Sequence, residues 1–285
     1  MRVLRCGRLV TLLVLMLLVG CTGMWPRWFD SSLPAPDSPV TVLVAPIAFE
    51  PSIAHASDIY SYDDTASADN EPYLLAELID EVALRAQRVL TDELAKRPEF
   101  HLVPFAEARR LPAGSEAPRR RKWTDTELEE LGRSAGVDIV VAARINDYGR
   151  LGWRHWVYGW LTVASAHTAM VGAATAWNPL AMGGYLIYDL ATDLPLWYGG
   201  AYVLGWAFRP IHVEMEALQL KGCVVHALYD QEVTILADSE QLNRFDESQR
   251  KRKDIQLQVN LDHTMKILAE VAGKSLRLKP CEVRA

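Results

Sequence analysis

The chain has 285 residues, of which half are hydrophobic and 23% are charged, as in a folded globular protein rather than a disordered or fibrous one. Thirty Lys and Arg residues against 36 Asp and Glu residues give a net charge of −6. Without the three arginines of the first eight residues, 27 basic residues face 36 acidic ones and the net charge is −9. Such an acidic chain lacks the basic surface of a nucleic-acid-binding protein, so no nucleic-acid partner is expected.

The first 20 residues have the pattern of a secretory signal peptide. Arg2, Arg5 and Arg8 precede an apolar run over residues 9–19. A membrane-spanning helix needs about 20 apolar residues, which is more than this run supplies. We therefore expect the segment to be cleaved, the alternative being an uncleaved anchor helix.

Residues 18–21, Leu-Val-Gly-Cys, resemble the lipobox of bacterial lipoproteins, in which the cysteine thiol receives a diacylglycerol. The resemblance implies that Cys21 is lipidated and that its lipid anchors the chain to a membrane without a spanning helix. Thr22 stands where the inner-membrane retention signal of this class has Asp, so the expected location is the outer membrane, facing the periplasm. Residues 21–39 contain four prolines and no hydrophobic period, and we interpret them as a flexible tether.

Cysteine usage fits an oxidising compartment. Cys6 is lost with the signal peptide and Cys21 is capped by lipid, which leaves Cys223 and Cys281. A disulfide between these two is one expectation, and two buried free thiols are the other. The bond would close a loop of about 57 residues and contribute roughly 4 kcal/mol on the chain-entropy model.

Strand and helix patterns alternate along the first half of the mature chain. Residues 40–49 are a nearly continuous apolar, β-branched run, which predicts a strand buried on both faces. Helical spacing predicts a helix over residues 71–97, before Pro98. A short strand over residues 100–103, a second helix over 125–134 and an apolar strand over 137–145 follow.

Individual residues predict the buried face of the first helix and the start of the second. The first helix carries Leu74, Leu78 and Val82 on its apolar side, and we expect Leu78 and Val82 to pack on the first strand. The second helix opens with Thr124 and, three residues later, Glu127. This spacing predicts a capping box.

Three phrases in this order resemble a group of bacterial envelope domains: LVAPIAF, LTDELAKRPEFHLVPF and ELGRSAGVDIVVAARINDYG. The group comprises the amino-terminal domain of TolB, the periplasmic domain of the outer-membrane lipoproteins that activate penicillin-binding proteins, and the curli-secretion channel lipoprotein. The resemblance covers residues 40–150 and implies an α/β fold in an envelope setting. Its motifs carry no catalytic residues. We therefore expect a mixed α/β fold, with helices packed on a three-layer-like sheet in one domain over residues 40–285.

The next segment departs from that group because residues 155–188 contain no Asp, Glu, Lys or Arg. Six of the nine tryptophans lie between Trp153 and Trp206. A stretch so free of charge must be shielded from water by core, partner or lipid. Residues 156–177 predict a helix about 33 Å long. The residues expected to pack or to bind a partner are Trp156, Trp160, Ala164, Thr168, Gly172, Ala176 and Trp177.

Three environments are open for this helix. It is interpreted first as buried in its own domain or in an oligomer, because small residues at four-residue spacing let another backbone approach closely. Shallow membrane insertion and a true membrane span are the alternatives, since the helix has the length and the aromatic flanks of a span.

The remaining chain is predicted to form a hairpin and then helices. Residues 183–207 are interpreted as two strands with a turn at residues 191–195, and the small-residue face of the second strand is expected to receive the Ala/Gly face of residues 164–176. Residues 211–236 are interpreted as a helix broken near Gly222, and residues 246–272 as a last amphipathic helix. The polar pairs on the broken helix are His212 with Glu216 and His226 with Asp230. We interpret them as helix-face pairs rather than metal ligands.

No catalytic signature of the HExxH, GxSxG, Walker A or CxxC type occurs. We therefore expect neither an enzyme nor a bound cofactor or metal. The favoured function is a lipid-anchored scaffold or adaptor that binds another protein complex of the cell envelope, for secretion, motility or cell-wall assembly. The alternative is an oligomeric subunit of an outer-membrane pore or secretion assembly, in which residues 156–207 of several copies join.

Overall fold

A computed structural model describes residues 39–50, 71–108, 122–149, 153–199, 201–203, 206–236 and 239–278. The expected signal peptide, the lipidation site Cys21, the tether up to residue 38 and Cys281 lie outside the described residues.

The described strands form one seven-stranded mixed sheet. The strands are β1 (Val40–Val44), β2 (Ala48–Phe49), β3 (Phe100–Leu102), β4 (Ile139–Tyr148), β5 (Ala201–Val203), β6 (Trp206–Gln219) and β7 (Val225–Leu236). Their spatial order is β3-β1-β4-β6-β5, with β2 beside β4 and β7 beside β6. β1 is parallel to β3 and β4, whereas β6 is antiparallel to β4, β5 and β7.

Helices cover both faces of this sheet. They are α1 (Glu71–Leu94), α2 (Phe105–Ala108), α3 (Asp125–Ala135), α4 (Trp153–Ala174), α5 (Pro179–Gly199), α6 (Ser239–Leu242), α7 (Glu247–Arg250) and α8 (Lys253–Ser275). Side chains of α1 and α8 form one apolar core with the strands, and side chains of α3 form a second core on the opposite face. The prediction of a mixed α/β fold with helices packed on a sheet is confirmed.

Strand β1 is buried on both faces, as its apolar run predicts. Val42 and Val44 join the core under α1 and α8, while Leu43 points into the core under α3. Val42 lies beside Ile139, the first residue of β4. The start of β1 and the start of β4 therefore lie at the same end of the sheet.

Helix α1 packs with a face slightly rotated from the expected one. Val82 is buried as predicted, but its buried neighbours are Leu75 and Ile79. Leu78 is only partly buried at the edge of the core, and Leu74 is exposed. The helix itself and its packing on the sheet are confirmed, and the centre of its buried face lies one residue further along the chain.

Helix α3 begins and ends as predicted. The Thr124 hydroxyl accepts from the backbone N–H of Glu127 at 3.3 Å, and the Glu127 carboxylate accepts from the Thr124 N–H at 2.9 Å. Gly136 ends the helix in the left-handed conformation with φ 65°. Just before the cap, the buried Trp123 indole donates to the carbonyl of Pro46 at 2.8 Å, which joins this helix to the loop after β1.

The predicted hairpin over residues 183–207 is wrong. Most of it belongs to helix α5, and only β5 and the start of β6 pair as strands. The apolar run fits either period, so alternation alone could not decide between helix and strand. The decisive local signal is Asn178 before Pro179, because asparagine is a preferred N-cap and proline a preferred first helical residue.

The predicted broken helix over residues 211–236 is also wrong, because β6 and β7 form a long antiparallel hairpin there. Gly222, at φ 81°, lies in the turn between the strands rather than at a helix break. The correct period is two, since every second side chain of β6 is buried in the core: Ile211, Val213, Met215 and Ala217. Strand β4 likewise continues to Tyr148 instead of ending at residue 145.

The last predicted helix, over residues 246–272, is present with a break near its start. Asp246 caps the short helix α7 by accepting from the N–H of Gln249 at 2.8 Å, and α8 begins at Lys253. Helix α8 buries Leu257, Leu261, Met265 and Leu268 against β6, β7 and α1. An Arg85–Asp262 ion pair at 2.8 Å joins α1 to α8 at the surface.

Candidate interaction site

The uncharged segment folds as a helical hairpin, here called the arm, formed by α4 and α5 over residues 153–199. The arm leaves the sheet after β4 and returns to it at β5. Its two helices pack mainly on each other, and α5 also contacts β6. The helix predicted over residues 156–177 is present as α4, but it begins at Trp153 and ends at Ala174, and residues 175–177 form a turn. Its packing partner is α5 rather than a strand hairpin.

A tight turn joins the two helices. Ala176 and Trp177 have φ of 52° and 62°, in the left-handed region that is costly for residues other than glycine. The N–H of Trp177 donates to the carbonyl of Gly172 at 2.6 Å, and the Asn178 side chain accepts from the N–H of Leu180 at 3.0 Å. These two hydrogen bonds close the end of α4 and open α5.

Gly172 has a packing role inside the arm. A Cβ atom at this position would lie 2.8 Å from Cε3 of Trp177, 3.0 Å from Cζ3 of the same ring and 3.2 Å from the sulfur of Met182. Two of the predicted interface residues, Gly172 and Trp177, therefore meet each other at the tip. A side chain at position 172 would collide with the turn.

The one charged residue between positions 155 and 192 is turned toward the inside of the arm. Asp189 is the only Asp, Glu, Lys or Arg in residues 155–192, and its residue is 3% exposed. Its Oδ1 lies 3.1 Å from Nδ1 of His167 on the facing helix. A buried carboxylate is costly unless it is hydrogen-bonded. His167 supplies a partner for Oδ1, whereas Oδ2 has no hydrogen-bond partner among the described residues. The outer surface of this part of the arm thus carries no formal charge from carboxylates, lysines or arginines.

The other predicted interface residues lie along the inner face of α4. Ala164 is 2% exposed, and Trp160 and Thr168 are half-buried. Among the described residues, the Trp160 Nε1 and Thr168 Oγ1 atoms have no hydrogen-bond partner. The side chain of Trp156 lies outside the described set, although its backbone is part of α4. The inner face is therefore a packing surface against α5.

The outer surface of the arm is unusually apolar. Eight large apolar or aromatic side chains there are exposed by 40% or more of their area: Leu161, Met170, Trp177, Leu180, Leu186, Ile187, Tyr188 and Leu190. Soluble monomers rarely expose apolar patches of more than a few hundred Å² without a function. The sequence does not predict the α5 part of this surface, because its pattern over residues 183–207 also fits two strands.

Gly183 and Gly184 lie within this exposed surface on α5. A Cβ atom at either position would have no other atom within 4 Å. Nothing inside the described chain therefore requires glycine there. The pair forms a shallow notch between the exposed side chains of Leu180 and Ile187, one helical turn away on either side.

The cysteines are only partly described. Cys223, in the turn between β6 and β7, is disulfide-bonded. Its predicted partner Cys281 and the predicted lipidation site Cys21 lie outside the described residues, so both assignments stay predictions.

The polar pairs assigned to a broken helix are strand residues with other partners. The Nδ1 atom of His212 lies 3.3 Å from a carboxylate oxygen of Asp147, and Nε2 of His226 lies 3.1 Å from one of Asp125. Glu216 forms an ion pair with Lys122 at 2.9 Å. The hydrogen bond to Glu216 raises the pKa of Lys122 above its ordinary value. Asp230 lies opposite Met215 in the β6–β7 register. Within the described ranges, no group of three or more His, Cys, Asp or Glu side chains is placed to hold a metal ion.

None of the helices in the described part of the chain combines the length and the hydropathy needed to cross a membrane.

Comparisons with known proteins leave the family open. No protein-family model matches the chain, and no curated protein matches it. Among solved structures, the chain is similar to a hypothetical protein of Chlamydia trachomatis, at 12% sequence identity and a TM-score of 0.35. That match covers 84% of this chain and 98% of the other. At this TM-score the likeness supports no argument about fold or function.

Proposed function

We propose that the protein is a lipid-anchored scaffold or adaptor of the cell envelope, and that the arm is the element that binds another envelope protein. The observation that carries this proposal is the outer surface of the arm. It exposes large apolar side chains such as Leu180 and Ile187, while Asp189, the one carboxylate between positions 155 and 192, is turned inward.

The energetics support an interaction role. Burying apolar surface contributes about 25 cal/mol per Å², so the exposed side chains of the arm represent binding energy that the described fold does not use. Specific protein interfaces have apolar cores from which charged residues are depleted. The segment of residues 155–188 has that composition over 34 consecutive positions.

The position of the arm relative to the amino-terminal segment supports a partner in the periplasm. Chain preceding β1 joins the sheet at the end where β4 begins, because Val42 pairs with Ile139. The arm leaves beyond Tyr148, at the other end of β4. Ten strand residues span about 33 Å. If Cys21 carries the lipid, the tether joins one end of the sheet, and the base of the arm lies at the opposite end.

The sequence resemblance described above supports the same assignment. The phrases shared with TolB-like and lipoprotein envelope domains imply a periplasmic α/β domain that works through protein contacts.

The proposal is tested by the size and composition of the complex that contains the full-length protein. Met170 is 61% exposed on α4, and Met170→Glu places a charge on the arm without filling any buried space. Tyr73 is 77% exposed on α1, so Tyr73→Glu is the matched control. After mild detergent extraction, wild type and Tyr73→Glu should migrate together with a second polypeptide, and Met170→Glu should lose it. Recovery of the second polypeptide with all three chains would contradict binding through the arm.

The competing proposal is an oligomeric subunit of a pore or secretion assembly, in which the arms of several copies join. The uncharged outer surface of the arm favours it too, because identical surfaces without charge do not repel. Extraction as a large ring that contains this chain alone would support this alternative.

A further inference from the structure

We infer that the groove between the carboxyl-terminal parts of α1 and α8 binds a phosphate ester, with Arg97 and Lys266 as the contacts to the phosphate. This site goes beyond the proposed function, since it uses neither the arm nor the lipid anchor. The groove has a volume of about 390 Å³, within the range of small-molecule sites. Its lining residues are Glu93, Lys96, Arg97, Lys266, Ala269 and Glu270.

The groove is formed by two helices that run in the same direction. Arg85 of α1 pairs with Asp262 of α8, and Arg97, three residues past the end of α1, lies against Gly273 of α8. Both helices therefore end at the groove. Positions 266, 269, 270 and 273 share one face of α8, and the small residues at 269 and 273 leave the space that the groove occupies.

A glycine on α8 makes room for the guanidinium of Arg97. A Cβ atom at position 273 would lie 2.7 Å from Nε and 3.2 Å from Cζ of Arg97. Gly273 lies within α8, where glycine is less favourable than alanine. The close approach of Arg97 therefore depends on a residue that the helix itself disfavours.

The carboxylates of the groove already have cationic partners. Glu93 pairs with Lys96 at 2.6 Å, and Glu270 pairs with Lys274 on the same helix. The hydrogen bond and charge of Lys274, and then the more distant charge of Arg97, lower the pKa of Glu270. The two acidic side chains are thus neutralised without a direct contact from Arg97.

Arg97 and Lys266 are left as the cations that can bind a ligand. Their side chains form no hydrogen bond or ion pair within the described part of the chain. Arg97 is also not needed to cap α8, because Nη1 of Arg277 donates to the carbonyls of Gly273 at 3.3 Å and Leu276 at 2.8 Å. That contact places a positive charge at the negative end of the helix dipole.

A phosphate fits this pair of cations better than a carboxylate does. The planar guanidinium donates two parallel hydrogen bonds to two oxygens of one anion, and an ammonium adds a point charge. A carboxylate uses both of its oxygens on the guanidinium, whereas a phosphate keeps an oxygen for Lys266. The groove is much larger than a phosphate group, so it has room for the organic part of an ester.

The phosphate has two sources, a lipid head group and a soluble ester. The groove lies at the end of the sheet where β1 begins, because Phe100, three residues after Arg97, pairs with Val40. The expected tether joins the sheet at this same end. A lipid phosphate would therefore be within reach of an anchored chain, and a soluble ester would reach the groove from solvent.

Equilibrium dialysis of the full-length protein in neutral detergent against labelled inorganic phosphate tests the site. Wild type should bind one phosphate per chain. Arg97→Gln and Lys266→Gln should each weaken binding by at least about tenfold, as expected for loss of a charged hydrogen bond. Arg133, whose side chain is 71% exposed on α3 at the opposite face of the sheet, supplies the matched control. Arg133→Gln removes the same charge and should leave the affinity unchanged.

A second variant keeps every charge and moves only Arg97. In Gly273→Ala the new Cβ displaces the Arg97 guanidinium. The arginine side chain is flexible and alanine favours the helix, so the thermal transition should not fall. The affinity for phosphate should still fall by at least about tenfold. Unchanged affinity would show that surface charge alone attracts the anion, which contradicts a site built around Arg97.

Two soluble competitors identify the source. Displacement of labelled phosphate by dihexanoyl phosphatidylglycerol would identify a lipid head group, and displacement by glycerol 3-phosphate alone would identify a soluble ester. Displacement by neither would overturn the inference, as would the absence of saturable binding below about 10 mM phosphate or equal affinities in Arg97→Gln and Arg133→Gln. Met170→Glu should bind phosphate like wild type, so failure of this site and failure of binding through the arm are distinguishable.

Discussion

Replacing Gly172 with leucine should unpack the tip of the arm. The new Cβ would lie 2.8 Å from the Trp177 ring and 3.2 Å from the sulfur of Met182. The Met182 side chain can move. The Trp177 ring cannot move as easily, because its backbone is held at φ 62° by the hydrogen bond from the Trp177 backbone N–H to the carbonyl of Gly172. Most of the strain must therefore be relieved by separating the two helices.

Two opposing effects set the magnitude. Overpacking of a filled site costs about 1–3 kcal/mol, and three carbons beyond Cβ place this change toward the upper end. Replacing a glycine in a helix interior stabilises the helix by about 0.8–1 kcal/mol. The net loss should be about 1–2 kcal/mol in the free energy of opening the arm.

Amide hydrogen exchange measures this quantity locally. The arm packs mainly on itself, so its opening free energy can differ from that of the sheet. Amides of α4 and α5 should exchange about 5–30-fold faster in Gly172→Leu, with the amides of β4 and β6 unchanged. The matched control is Gly184→Leu, whose side chain enters open space. Equal protection of the arm in the two variants would refute the packing of Gly172 against the turn.

Three further outcomes are expected. Ile79→Asp should lower the free energy of unfolding by about 3 kcal/mol in a denaturant titration, because it buries an unpaired carboxylate. Leu74→Asp, on the exposed side of α1, should change the free energy of unfolding by less than about 0.5 kcal/mol. Equal effects of the two substitutions would contradict the observed buried face of α1. Burial, and then the charge of Asp230, raise the pKa of Glu232 above 4.5. Ionised Glu232 therefore costs stability above its folded-state pKa, and Glu232→Gln should raise the melting temperature at pH 7 but not below about pH 4. Cys21→Ala should abolish incorporation of labelled palmitate, and undiminished labelling would show that the lipobox assignment is wrong.

The sheet was predictable where each strand has a single periodicity. β1 is apolar at almost every position because both of its faces are buried, and the capping box of Thr124 marks the start of α3 without reference to the rest of the fold. Local chemistry was sufficient in these places.

The second half was not predictable from the same patterns for a physical reason. Residues 183–207 contain only two charged residues, Asp189 and Asp193, and are apolar at most other positions, so hydrophobic spacing does not separate helix from strand there. Only the N-cap Asn178 marks α5 locally. In β6 the alternation from Ile211 to Ala217 does identify a strand, but a four-residue spacing such as His212 to Glu216 also fits a helix face. Sheet pairing with β4 decides between the two, and pairing is not a local property.

The interaction surface was predictable in outline only. The absence of charge over residues 155–188 identified the segment, and Gly172 and Trp177 do meet at its tip. Which face turns outward depends on where the hairpin closes and on the burial of Asp189 against His167. Both features depend on tertiary structure and are not encoded in the local sequence pattern.

A photo-crosslinking scan along α5 in intact cells tests most directly whether the outer face of the arm is an interaction surface. A benzophenone side chain is placed at each position from 179 to 192 of the full-length chain, and the adducts are identified by mass. The adducts should recur with helical period, strongest near Leu180, Gly184 and Ile187 and weakest near Tyr185 and Asp189, which face α4. Adducts absent from the whole scan, or equally strong at inward and outward positions, would contradict the proposed interaction surface.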